Sequence, residues 1–260
     1  MRRTAGALAG LLLLAAPLTA VAHDSFLIPP ASVAAGQPFV VQVTSSGFFP
    51  EPETTIRPNR ISRLIARSGD APLVATPAPG EVAMQIALSP PGDAGAVIGV
   101  SLSPWPIEVG ADERSHYMDE IGALPALRAA VEAGAAADGV LHETYTKHLK
   151  AIVCGRTCAG VGAERPLGFY LEFVLDPARP RTFLLLRNGA PLASLPVFAT
   201  TGNRGRLAFI TDATGAVSLP EGLTGPVLLM AVDLQPPERL HARFTSEWAA
   251  LTFDARLLAD

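Results

Sequence analysis

A mainly β protein, built as two antiparallel β-sandwich units joined by a short helical segment, is the fold this sequence predicts. Three observations carry that expectation. The 260 residues include 24 prolines and 23 glycines while only 17% are charged, a composition that suits short strands and tight turns. Apolar residues alternate or cluster in short runs from Phe26 to about Leu102 and again after Pro166. The stretch between them is rich in Ala, Leu and Glu instead, as helices are. A hydrophobic content of 49% is enough to bury a core rather than leave the chain disordered. The length exceeds a typical domain of about 100–150 residues, so more than one unit is expected. The division predicted is a leader over 1–22, an N-terminal sandwich over 23–110, a helical connector over 111–160 and a C-terminal sandwich over 161–260.

Met1 to Ala22 reads as a secretory leader: Arg2 and Arg3 form its positive start, Leu8 to Leu14 its apolar run, and Ala20-Val21-Ala22 the cleavage triplet. The run is too short for a permanent span, and no second run of about 18 apolar residues follows, so the mature protein is expected in the periplasm and not integral to a membrane. Within the first unit, Pro38 to Thr44 is a strand of β-branched and aromatic residues entered from Ala35-Gly36-Gln37; Glu81 to Leu88 alternates before Pro90-Pro91-Gly92; and Ala96 to Ser103 is stopped by Pro104-Trp105-Pro106. In the connector, Tyr117 to Glu132 and Val140 to Val153 read as two helices separated by the small residues of 133–139. Strands then return. Gly168 to Leu175 ends at Asp176-Pro177, and Arg181 to Arg187 leads into Asn188-Gly189, the pair favoured in type I′ hairpins because both central residues take positive φ. Pro196 to Thr200, Leu207 to Thr211, Ala216 to Leu219, Pro226 to Val232 and Trp248 to Asp254 follow, with Asp212-Ala213-Thr214-Gly215 as a further turn.

Charge and cysteine content narrow the function classes. Loss of Arg2 and Arg3 with the leader takes the formal net charge from −4 to −6, and the basic residues are scattered, which argues against a nucleic-acid-binding face. Cys154 and Cys158 are the only cysteines; in an oxidising compartment they are expected as a structural disulfide, a zinc site being the alternative that would need two further close ligands. No G-x-S-x-G elbow, H-E-x-x-H, P-loop or G-x-G-x-x-G is present, so the expectation is a protein that binds rather than catalyses. Scattered Ser, His and acidic residues make no triad without geometry.

Seven stretches in order resemble an exported bacterial family catalogued as a domain of unknown function and often labelled nickel/cobalt uptake-associated. They are A-H-D-S-F-L-I-P, Y-M-D-E-I-G, E-T-Y-T-K-H-L-K-A-I-V, L-G-F-Y-L-E-F-V-L-D-P, N-G-A-P-L, T-D-A-T-G and E-W-A-A-L-T-F. The resemblance implies a periplasmic protein of immunoglobulin/prealbumin-like sandwiches, the second being transthyretin-like, and a link to metal uptake through a transporter or outer-membrane receptor. Where the family often has a phenylalanine-tryptophan pair, this chain has Phe26-Leu27.

Cleavage after Ala22 leaves His23 as the first residue, and a terminal histidine can bind a metal in a way an internal one cannot. Its α-amine and Nδ1 form a chelate, and one further imidazole completes the nitrogen set of a histidine brace, suited to Cu(II) or Ni(II). His241, in the loop before the last strand, is the first choice of partner and His116 the second. His142 and His148 stand six apart on the expected helix, off the i, i+4 spacing, and His148 is flanked by Lys147 and Lys150; both histidines are expected to face solvent. Asp24 either orients the His23 imidazole by a hydrogen bond or merely starts a strand. Glu143 and Lys150 are expected to be exposed or paired, and Tyr145 buried. The function expected is handling of divalent nickel, cobalt or copper. The alternatives are a metal-free protein- or carbohydrate-interaction module and, third, a copper-dependent oxidase.

Overall fold

The computed structural model of the protein describes residues 24–89, 91–135, 139–202, 204–239 and 242–259. The first half carries β1 (Asp24–Ile28), β2 (Phe39–Ser46), β3 (Thr54–Thr55), β4 (Ile61–Ser68), β5 (Ala71–Pro72), β6 (Ala75–Ala78), β7 (Met84–Leu88), β8 (Gly95–Leu102) and β9 (Trp105–Val109). Two helices follow, α1 (Arg114–Glu120) and α2 (Pro125–Gly134), and then the long β10 (Leu141–Cys154). The second half carries β11 (Leu171–Leu175), β12 (Thr182–Arg187), β13 (Ala190–Pro191), β14 (Pro196–Thr201), β15 (Gly205–Ile210), β16 (Ala216–Ser218), β17 (Pro226–Gln235) and β18 (Phe244–Asp254). None of the helices among the described residues is long and apolar enough to cross a membrane.

The strands form three layers. A nine-stranded sheet, ordered β15-β14-β17-β18-β10-β8-β4-β5 with β9 also on β10, lies between a sheet of β1-β2-β7-β6 with β3 and a sheet of β11-β12-β13 with β16. Within each half the pairing is antiparallel, as the sequence predicts. The halves meet at one parallel seam, β10 on β18, in register from Glu143 opposite Phe244 to Ile152 opposite Phe253. The two faces of the middle sheet feed separate cores. Leu149, Ala151 and Val153 of β10 join Ile98 and Val100 of β8 against Phe26, Val41, Val43 and Ile86 of the first sheet. Ile152, Leu229, Leu251 and Phe253 pack against Phe173, Phe183 and Leu185 of the third, with the Phe183 and Phe253 ring centroids 4.9 Å apart. A third core gathers α1 and α2 over one end of the sheet through Tyr117, Met118, Ile121, Val131, Leu141, Phe244 and Trp248.

Two expectations for the connector are corrected. The single helix expected over Tyr117 to Glu132 is two, because Gly122 takes φ +69° after α1 and Pro125 opens α2 at a position where its missing N–H costs nothing. The helix expected over Val140 to Val153 is β10. Its last eight residues are all buried, since both faces of a middle layer are covered, and such a strand has no polar alternation to display. β8 ends at Leu102, before Pro104, as expected, and Trp105-Pro106 opens a further strand, β9, where proline is tolerated because among the described residues β9 pairs on one side, with β10. The hairpin and turn expectations hold: Asn188 and Gly189 take φ 50° and 77°, and the Asp212 carboxylate accepts from the Thr214 and Ala216 amides. Cys154 and Cys158 are disulfide-bonded, with Cα atoms 4.6 Å apart, at the end of β10.

Candidate functional site

Strand periodicity sorts β10 into two rows of side chains. Glu143, Tyr145 and Lys147 face α1 and β1, while His142, His148 and Lys150 face the other way. The first row forms the floor of a polar cluster at the junction of β1, α1 and the middle sheet. Lys147 Nζ donates to Ser25 Oγ at 3.1 Å and lies 5.2 Å and 4.9 Å from the ring centroids of Tyr145 and Trp248. Ser25 in turn shares a 2.5 Å hydrogen bond with Ser45, so the lysine is tied to the start of the first sheet. Burial pushes the Lys147 ammonium down to about 8, against the fields of Asp24, Glu120 and Glu143, which raise it.

The acids around it are displaced the other way. Burial, followed by the nearby Asp24 carboxylate, pushes Glu120 up to about 7; His116, Arg206 and Lys147 oppose the shift. Glu143 is fully buried and also raised, mainly by burial, although Ser246, Tyr117 and Lys147 favour its charged form. Its carboxylate accepts from Tyr117 Oη at 2.7 Å and from Ser246 Oγ, and Trp248 Nε1 donates to Ser246 Oγ at 2.9 Å. The Tyr117 hydroxyl is raised well above its ordinary value by the same burial and by Glu143. Arg206 donates to the Glu120 carbonyl at 2.6 Å and stacks on Phe198, which fixes the end of α1 against β14 and β15. At the outer edge Trp105 is 48% exposed, stands opposite Tyr145 and carries the Arg60 guanidinium 4.3 Å above its ring. A carboxyl near 7 and an ammonium near 8, each within the other's electrostatic reach, place two groups of this cluster close to neutral titration, a pattern that marks candidate sites.

Of the residues singled out by sequence, His23 and His241 lie outside the described residues. Asp24 begins β1 opposite Ser46, and His116 is exposed on α1, close enough to act on Glu120. Asp24 and His116 thus each lie within electrostatic reach of Glu120. The histidine expectations for the connector are corrected: His142 is half-buried with Nδ1 3.3 Å from Glu108, and His148 is buried at 7% exposure. Both lysines flanking His148 are buried too, Lys147 in the cluster and Lys150 against Glu172. Against the exposed-or-paired expectation both Glu143 and Lys150 are buried, Lys150 paired with Glu172 and Glu143 hydrogen-bonded to Tyr117 and Ser246. Glu120, Lys147 and Trp248 are site residues that the sequence reading does not single out. For Lys147 the E-T-Y-T-K alternation carries the signal, visible only once the period is read as two.

The displaced groups give stability a pH dependence of defined sign. A carboxyl whose folded value lies above its ordinary 4.5 takes up protons on folding, so the contribution of Glu120 falls as pH rises from 4.5 through 7. An ammonium whose folded value lies below its ordinary 10.5 releases protons on folding, so stability rises with pH from 8 to 10.5, through both Lys147 and Lys150. Melting temperatures across this range are expected to show the fall between pH 4.5 and 7 flattened in Glu120→Gln and the high-pH rise reduced, not abolished, in Lys147→Met. Unchanged profiles in both variants would contradict the cluster.

No family model, curated protein or solved structure matches the chain.

Proposed function

We propose that the protein is an exported binding protein that handles a divalent transition metal, nickel, cobalt or copper, at the start of its mature chain. The observation that supports this reading is that Asp24, where β1 begins, and His116 on α1 both lie within electrostatic reach of Glu120. Processing after Ala22 puts the amine and imidazole of His23 immediately beside Asp24. His116 and Glu120 stand four residues apart on α1, the spacing at which an imidazole and a carboxyl share a face. Nitrogen and carboxylate donors of this kind suit Ni(II), Co(II) and Cu(II). Among the described residues no group of three or more His, Cys, Asp or Glu side chains is disposed to hold a metal ion. The described donors thus fit the ion only as a partial set, to which His23 must add two nitrogens. Lys147 sets the competition, because its charge already balances the same acids. The seven-stretch resemblance and the leader support delivery in the periplasm to an uptake transporter or outer-membrane receptor.

Calorimetric titration of the processed chain with Ni(II), Co(II) and Cu(II) tests this reading, with intact mass establishing the first residue. One equivalent of ion is expected to bind. His23→Ala should abolish binding and His116→Ala should weaken it at least tenfold; wild-type affinity in His23→Ala would defeat the proposal. A second reading, a carbohydrate-interaction module, is favoured by the exposed Trp105 beneath Arg60 and opposite Tyr145, since indole faces stack on sugar rings. Under it, Trp105→Ala removes an oligosaccharide-induced change in tryptophan fluorescence and leaves metal titrations unchanged.

A further inference from the structure

On the opposite face of the middle sheet a second polar group has the connectivity of an acyl-transfer relay. Ser101 of β8 and His148 of β10 are directly opposite in the antiparallel ladder, so both side chains leave the same face, and Ser101 Oγ lies 2.8 Å from His148 Nδ1. Glu247 of β18 is one diagonal step further across the parallel seam. Its Oε2 lies 2.8 Å from His148 Nε2. The imidazole is fixed from above by Phe169, whose ring stacks on it at 5.4 Å with an interplanar angle of 18°. Gly99 makes room for that lid, since a Cβ there would stand 2.5 Å from Phe169 Cε2. Arg63 of β4 stands opposite Ser101 on the other side, its guanidinium 5.4 Å over the same Phe169 ring and hydrogen-bonded to the Gly168 and Leu167 carbonyls.

Ser101 and His148 are buried at 6% and 7% exposure, at the margin of the covered face. Lys150 and Ile152 of β10 are buried beneath the third sheet, whereas Thr144 and Thr146, on the same face, are half-exposed. Thr245 is exposed, Glu247 half-buried and Ala249 buried along β18. Arg63 itself is exposed. A core ending in a polar row is ordinary; a serine, a histidine and a carboxylate joined in that order by two 2.8 Å hydrogen bonds, with the ring clamped and a cation alongside, is what a nucleophile and its base need.

We propose that Ser101, His148 and Glu247 form an acyl-transfer centre acting on small carboxylic esters. This inference is independent of the metal reading, which concerns the other face of the sheet. In the step assigned, Ser101 Oγ bonds to the ester carbonyl carbon as its proton passes to His148 Nδ1. The imidazolium then protonates the departing alkoxide as the C–O bond breaks. Water, giving a proton to His148 Nδ1, attacks the acyl-serine; the acid leaves and Ser101 recovers its proton. Ser101 is the catalytic nucleophile and His148 the catalytic base, Glu247 is a positioning residue that holds the ring through Nε2, and Arg63 supplies positive charge beside the developing oxyanion.

A fluorophosphonate probe and p-nitrophenyl acetate, applied to the full processed chain, test the proposal. The expected result is one phosphonyl adduct, located on Ser101 by peptide mass, together with ester turnover that is lost in Ser101→Ala and His148→Gln. Glu247→Gln should slow labelling at least tenfold, and Glu247→Asp, which keeps the carboxylate, should recover part of the rate. A merely structural glutamate would leave the labelling rate unchanged while near-UV dichroism stays native. If natively folded wild-type protein takes up no phosphonate at millimolar reagent, the centre does not exist. The same holds if the adduct persists in Ser101→Ala, or if Ser101 is labelled at the wild-type rate in folded His148→Gln.

Discussion

Glu172→Ala is expected to cost about 3–5 kcal/mol of unfolding free energy, the largest effect of any single substitution argued for this protein. Glu172 and Lys150 are buried at 3% and 2% exposure, between the middle sheet and the third. One carboxylate oxygen accepts from Lys150 Nζ at 3.2 Å and from the Leu167 amide at 2.9 Å; the other accepts from the amides of Gly168 at 2.7 Å and Phe169 at 3.1 Å. Alanine would leave three amides without their acceptor and the buried Lys150 ammonium with only the Phe173 carbonyl, at 3.0 Å. Lys150 is already pushed down to about 8 by burial, with Glu172 the main group holding it up. Lys150→Met is expected to cost clearly less, because the carboxylate keeps its three amides and the methionine fills the space. The asymmetry is the test. Urea unfolding of both variants, with melting temperature down by about 10 °C or more in Glu172→Ala, checks it; equal costs, or a Glu172→Ala midpoint at the wild-type value, would show that the carboxylate does not hold the 167–169 backbone.

How much of this was legible follows from which physical signal each segment carries. β2 and β7 show β-branched or alternating residues because they sit in an outer sheet, and Asn188-Gly189 names its turn through the φ values it must adopt. β10 fails for the converse reason. Its apolar half is covered on both faces, so Leu149-Lys150-Ala151-Ile152-Val153 has no polar period, and alanine and leucine then favour helix on propensity alone. That one misreading of period hid both candidate sites. On a helix, His148 between two lysines reads as solvated; on a strand, Lys147 and Lys150 go to opposite faces and each finds buried partners. Ser101 and Glu247 carry no signal in sequence, because only the order β8-β10-β18 makes them neighbours of His148.

Glu143→Ala is the second large effect, about 2–4 kcal/mol, and it bears on function as well as stability. The carboxylate is wholly buried and is the common acceptor for Tyr117 on α1 and Ser246 on β18, with Trp248 bonded to Ser246 behind it. Removing it leaves the Tyr117 and Ser246 hydroxyl protons without their acceptor, although Ser246 still accepts from Trp248, and opens a cavity beneath the helix. Tyr117→Phe, which deletes one donor and leaves the carboxylate bonded to Ser246, should cost about 1 kcal/mol. The two variants separate stability from positioning. α1 carries both His116 and Glu120, and its Tyr117 is held to the sheet by this hydrogen bond. If the acids at the start of β1 and the side chains of α1 act together on a metal ion, Glu143→Ala must weaken Ni(II) or Cu(II) binding even at temperatures where the variant is fully folded, while Tyr117→Phe weakens it less. Folded Glu143→Ala that binds the ion with wild-type affinity would mean that α1 contributes nothing to the ligand set, and would leave His116 and Glu120 as bystanders on a helix that only closes the end of the core.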